Sequence, residues 1–120
     1  MSKSKFSNCF IDQSEMYHYD IEWEGQVIAK AHTLSAKDKS KIEYQSMTKR
    51  FKNGELEFDV DSQKLRIATI LSALDWWDAD RPLNEDNVSM LPEGMINYIY
   101  DAITAHEEKV QKIADDTEKN

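Results

Sequence analysis

A single cysteine, Cys9, means that this 120-residue sequence can form no internal disulfide and no thiolate cluster around a metal. A reducing compartment fits that usage. Three glycines leave nothing from which to build a phosphate-cradling loop. Nothing approaches eighteen consecutive apolar residues, and the opening MSKSKFSNCF lacks the apolar stretch of a signal peptide. Neither membrane spanning nor export is expected, and the chain reads as cytoplasmic. Basic charge is also short: 15 Lys and Arg against 23 Asp and Glu give a net charge of -8. Such a chain repels phosphate backbones and anionic lipid, so nucleic acid and membranes are poor partners. The acidity belongs to the second half, where residues 61–120 carry six basic and thirteen acidic side chains.

What is present suffices for one domain. About 40% of residues are hydrophobic, and three Trp, five Tyr and four Phe supply core material. Residues 1–14 show little periodicity and read as a loose arm whose aromatics can still dock. Tyr17, Tyr19, Ile21 and Trp23 then alternate with His18, Asp20, Glu22 and Glu24, the period of a half-buried strand. Glu24-Gly25 supplies a turn, and Val27 to Ala31 returns as the second strand of a hairpin.

Ser35 with Asp38 forms a capping-box variant, predicting a helix from Ala36 to about Phe51. Its apolar face is thin, with Ala36, Tyr44, Met47 and Phe51 on it and Ile42 off to one side, and it is rich in lysine. Asn53-Gly54 reads as its stop, and Leu56, Phe58 and Val60 alternate briefly before Asp61 or Asp59 caps the next helix. That helix, Ser62 to Trp77, is the most apolar segment. Ile67, Ile70, Leu71, Leu74 and Trp77 share one face, with Leu65, Thr69, Ser72 and Trp76 roughly opposite. Pro82 breaks the chain, Asn84 caps a short turn, and Pro92 suits the first position of a last helix. This helix runs to about Ile113 with Met95, Ile96, Ile99, Ala102, Ile103, His106, Val110 and Ile113 on one stripe. The expected fold is α+β, predominantly helical, with an N-terminal β-hairpin packed on a small bundle of three to four helices. The domain spans residues 15–113, and an acidic tail over 114–120 frays into solvent.

Reactive chemistry is hard to assemble. The acidic loop of Asp75, Asp78, Asp80, Glu85 and Asp86 invites a calcium reading, but an EF-hand loop needs Gly at its sixth position and Glu at its twelfth. Starting at Asp75 these are Asp80 and Asp86; starting at Asp78 they are Leu83 and Ser89. His18, His32 and His106 fall in three different elements, with no helical pair to grip a metal. Cys9 has no fixed base beside it. No catalytic set and no cofactor site emerges, so the chain reads as a non-enzyme.

The tryptophans point elsewhere. On an amphipathic helix Trp77 is core, and Trp76 points away beside Leu65, either as a binding surface or beneath a second covering layer. Tyr98 and Tyr100 flank the last helix's stripe and extend either a core or a contact patch. The run ILSALDWWDADRPLNEDNVSMLP joins an apolar helix ending in Trp, an acidic stretch, Pro82-Leu83, the polar cap NEDNV and the opening Leu91-Pro92 of an amphipathic helix. Across residues 16–110 this order resembles the tail assembly chaperones of long-tailed bacteriophages. The resemblance implies a small non-enzymatic protein that binds and solubilises the tape-measure protein until tail tube subunits polymerise around it. Its partners would be the tape-measure protein and the tail tube protein. Carried over by position, Trp76, Trp77, Pro82, Leu83, Leu91 and Pro92 match the motif and shape the helix joint; Leu65, Trp76, Tyr98 and Tyr100 are the binding candidates. The acidic DWWDAD and the ragged N-terminal arm depart from the simplest family pattern.

Two further expectations stand beside this one. The acidic surface from Asp75 to Glu93 suits a small inhibitor that mimics phosphate toward a basic host protein. The basic cluster from Lys37 to Lys52 and that acidic stretch could also attract each other between subunits of a homo-oligomer.

Overall fold

The computed structural model describes residues 6–118 and shows an α+β fold in which helix dominates. Strands β1 (His18–Trp23) and β2 (Gln26–His32) form the expected antiparallel hairpin. Its turn residues Glu24 and Gly25 have φ of 51° and 79°. Two successive positive φ values match the right-handed twist of the flanking strands, and the second falls on a glycine, which tolerates it without strain.

Helix α1 (Ala36–Ser46) opens on the predicted capping box: the Ser35 hydroxyl accepts from the Asp38 N–H at 3.1 Å, and the Asp38 carboxylate accepts from the Ser35 N–H at 3.0 Å. The helix does not continue to Phe51. It ends at Ser46, and the chain becomes a second antiparallel hairpin, β3 (Met47–Lys52) and β4 (Glu55–Val60). Asn53 and Gly54, at φ 55° and 79°, are its two-residue turn rather than a helix stop. Strand formers Thr48, Phe51, Phe58 and Val60 complete the local preference.

Helix α2 (Ser62–Ala73) is capped by Asp61, whose carboxylate accepts from the Gln63 and Lys64 N–H groups at 3.0 Å. Asp59 instead stays in β4. This helix also stops short of its predicted end. Leu74–Trp77 leave it as strand β5, which pairs with β2 to give a three-stranded sheet in the order β1-β2-β5. The reason is tertiary: β2 offers an unpaired edge, and tryptophans suit a pleated surface at least as well as a helix. Trp76 is therefore a strand residue opposite Lys30, not the far side of α2.

Asn84 caps the short α3 (Glu85–Ser89) through its side-chain oxygen, which accepts from the Asn87 N–H at 2.9 Å. Helix α4 (Glu93–Glu118) starts after Pro92, whose carbonyl accepts from Met95 and Ile96. It runs beyond Ile113, so residues 114–118 of the expected tail are helical, and 119–120 lie outside the described residues. Of the expected N-terminal arm, residues 1–5 also lie outside them, whereas Phe6–Cys9 and Ile11–Gln13 are short 3-10 turns.

One core joins these pieces. Ile21, Ala29, Ala31 and Leu74 from the sheet meet Ile70 and Ala73 of α2, Val88 of α3, and Ile96, Ile99 and Ile103 of α4. Helix α2 touches α1, α3 and α4, which explains why Ala68 and Thr69 are buried along with the predicted Ile70.

Candidate functional site

Between α1, α2 and α4 lies an open cavity of about 340 Å³, lined by Leu34, Lys39, Ile42, Glu43, Ser46, Val60, Leu65, Thr69, Tyr100 and Thr104. Three of its hydroxyls are committed within the fold. Ser46 Oγ donates to the Glu43 carbonyl at 2.9 Å, Thr69 Oγ1 to the Leu65 carbonyl at 2.7 Å, and Thr104 Oγ1 to the Asp101 carbonyl at 3.1 Å. Each hydroxyl thus turns back to its own helix, the local bond that Ser and Thr make within a helix. A guest meets aliphatic carbon, methyl groups and the Tyr100 ring. Lys39 and Glu43, both exposed, are the charged side chains among the lining residues. Lys39 lies 3.7 Å from Glu107, whose other oxygen accepts from the Leu34 N–H at 3.0 Å and so fixes one end of the cavity.

The binding candidates from the sequence separate in space. Leu65 and Tyr100 line this groove. Trp76, 45% exposed, stands on β5 in the register position of Lys30. Asp20, across from Lys30 on β1, shares that register position. Tyr98, 41% exposed, donates its hydroxyl hydrogen bond to the Glu22 carbonyl of β1 and so ties α4 to the hairpin. The pairing of Trp76 with Leu65 assumed that both lie on one helix, whereas Trp76 stands on β5 and Leu65 on α2.

The motif residues build the joint between sheet and helices. Trp77 packs against the core and donates from Nε1 to the Arg81 carbonyl at 2.7 Å. Asn87 Nδ2 donates to the Pro82 carbonyl at 2.8 Å, and Leu83 and Leu91 pack against the core on either side of α3. Two of the acidic loop's carboxylates are tethered, although all five of its acids are exposed: Asp75 Oδ1 lies 2.8 Å from His32 Nδ1, and Asp78 Oδ2 accepts from Gln26 Nε2 at 2.8 Å.

The histidines are closer than their spacing suggested. His18 and His32 are cross-strand partners in the β1–β2 hairpin. His32 lies between Asp75 and, at 3.6 Å, Asp38. Among the described residues no group of three or more His, Cys, Asp or Glu side chains is placed to hold a metal ion. His106 stacks on Tyr19 with ring centroids 3.6 Å apart, and its Nε2 lies 3.0 Å from Thr33 Oγ1. Burial lowers its pKa from the usual imidazole value, against the opposing pull of Glu107. Burial likewise raises the Tyr19 phenol, with Glu107 and Asp75 adding to the effect.

Sequence reasoning missed Leu34, Ile42 and Val60 as groove residues. Ile42 carried the clearest signal. It is the one large aliphatic residue in α1 and is 6% exposed, whereas Tyr44, placed on the expected apolar face, is 81% exposed.

No protein-family model matches the chain, and neither does any curated protein or solved structure. No helix among the described residues is long and apolar enough to cross a membrane.

Proposed function

We propose that this protein is a non-enzymatic tail assembly chaperone, which binds the apolar ridges of a long helical tape-measure protein and keeps it soluble until tail tube subunits polymerise around it. The observation that carries the reading is the groove between α1, α2 and α4, where three hydroxyls are turned back onto their own helices and aliphatic surface remains. Such a trough suits the side chains on one face of an amphipathic helix, which anchors at positions three or four residues apart. Its charged lining residues, Lys39 and Glu43, are both exposed, which favours binding an extended partner over acting on an enclosed small substrate. Many copies, each bound weakly along one extended partner, cover it and are then displaced stepwise by a protein that binds more tightly.

The tethering of Asp75 and Asp78 to β2 favours this reading over a phosphate-mimicking inhibitor, since two of the loop's carboxylates serve the fold. Co-expression of the chain with a tape-measure protein tests the proposal. The tape measure should stay soluble with the chain and precipitate without it; equal precipitation in both cases contradicts the function.

A further inference from the structure

The β3–β4 hairpin stands off the core. Every residue of β4 and all of β3 except Thr48 are exposed. Its register sorts its side chains by chemistry. The pairs Met47–Val60, Lys49–Phe58 and Phe51–Leu56 share one face; Thr48–Asp59, Arg50–Glu57 and Lys52–Glu55 share the other. The polar face is satisfied within the hairpin, by an Arg50 Nε to Asp59 Oδ2 ion pair at 3.2 Å and by Thr48 Oγ1 donating to the Asp59 carbonyl at 3.2 Å. The apolar face is left to solvent: Phe51 is 79% exposed, Val60 60%, Phe58 55% and Leu56 48%.

We propose that this apolar face is a self-association surface, on which the hairpin of a second copy of the chain packs face to face. Three observations select that occupant. First, an isolated two-stranded ribbon is marginal in water, and two ribbons stacked on their apolar faces make a four-stranded sandwich with a dry interior. Second, residues 47–60 carry three basic and three acidic side chains, so the arm is neutral while the remainder of the chain holds the whole net charge of -8. Copies that repel each other elsewhere meet here with least opposition. Third, the exposed apolar side chains offer roughly 500 Å² per copy, so a two-fold pairing buries about 1,000 Å² in total, the lower bound for a specific, reversible interface. A two-fold contact would set this face against the same face of the second copy. Lys49, the one charge on this face, has a long stem that can lie along Phe58 while its ammonium reaches water. Val60 also lines the groove, so the self-association is tested on the chain alone, with no groove guest present.

Sedimentation velocity of the full chain over a wide concentration range tests it. Wild type should show a reversible monomer–dimer equilibrium. Phe51→Glu and Phe58→Glu, both at exposed positions, should weaken it at least tenfold while leaving the helical circular dichroism unchanged. Met90→Glu, at a residue 71% exposed in the α3–α4 turn, should leave it intact. A wild-type chain that stays monomeric up to millimolar concentration overturns the proposal. So does an association that survives both phenylalanine variants, or one that Met90→Glu weakens equally.

Discussion

Adjacent tryptophans with opposite duties allow a sharp test of the fold around the helix joint. Trp77 packs against the core and bonds Arg81 through its indole N–H, whereas Trp76 keeps 45% of its surface in water on the edge strand β5. Replacing Trp77 with Ala removes a half-buried ring packed against the core together with its hydrogen bond to Arg81, at a cost of about 2–4 kcal/mol. Replacing Trp76 with Ala loses only the buried part of one ring. At about 25 cal/mol per Å² that is roughly 1–2 kcal/mol once the area an alanine still covers is set aside. For a domain of this length each kcal/mol shifts Tm by about 4 °C, so the two variants should melt on the order of 5 °C apart. Urea unfolding followed by circular dichroism at the helical band reads both without relying on tryptophan emission. Trp77→Phe keeps most of the burial and loses the hydrogen bond, so it should fall between them if Trp77→Ala proves too unstable to measure. Equal losses for Trp76→Ala and Trp77→Ala would refute the placement of these residues on β5, with one ring inward and the other outward.

Other outcomes follow from single contacts. Asp61→Ala removes two N-cap hydrogen bonds from α2 and should lower the urea-derived stability by about 1 kcal/mol. Among the described residues the buried Tyr19 hydroxyl has no hydrogen-bond partner, so Tyr19→Phe should be neutral or stabilising by up to about 1 kcal/mol in the same assay. His106 has its pKa lowered in the folded protein by burial, so the unfolded chain takes up a proton more readily. Its contribution to stability is full above about pH 6.5 and is lost as pH falls below that value. Urea midpoints measured from pH 7.5 to 5.5 should therefore decline for wild type, and decline less for His106→Gln.

The parts of the fold that were legible in the sequence are those whose signals are local. The Tyr17–Trp23 alternation, the Ser35/Asp38 capping box, the Asn84 cap and the isoleucine stripe of α4 each specify their element within a few residues, and each element forms, although Trp23 and Ile113, read as inward-facing, are exposed at the ends of theirs. The helix ends were not legible for two different reasons. At Met47 the local signal is ambiguous, because Asn53-Gly54 between alternating side chains is a hairpin signal as well as a helix stop. At Leu74 it was absent from the local sequence, since β5 exists only because β2, more than forty residues earlier, presents an edge to pair with. The same long-range pairing bears on the site: a helical wheel run through Trp76 sets it beside Leu65, whereas Trp76 stands on β5 and Leu65 on α2. Leu34, Ile42 and Val60 converge on the groove from a loop, a helix and a strand, a meeting that no single period in the sequence records.

The central claim is that the trough between α1, α2 and α4 holds the apolar ridge of a helical partner. Methyl-labelled protein titrated with an amphipathic segment of a tape-measure protein addresses it directly. The methyl resonances of Leu34, Ile42, Val60 and Leu65 should move with a common saturation curve, while those of Ile21 and Val88, buried elsewhere in the core, stay in place. Groove methyls that remain still while the segment binds at another surface, or that remain still because nothing binds, would contradict the account.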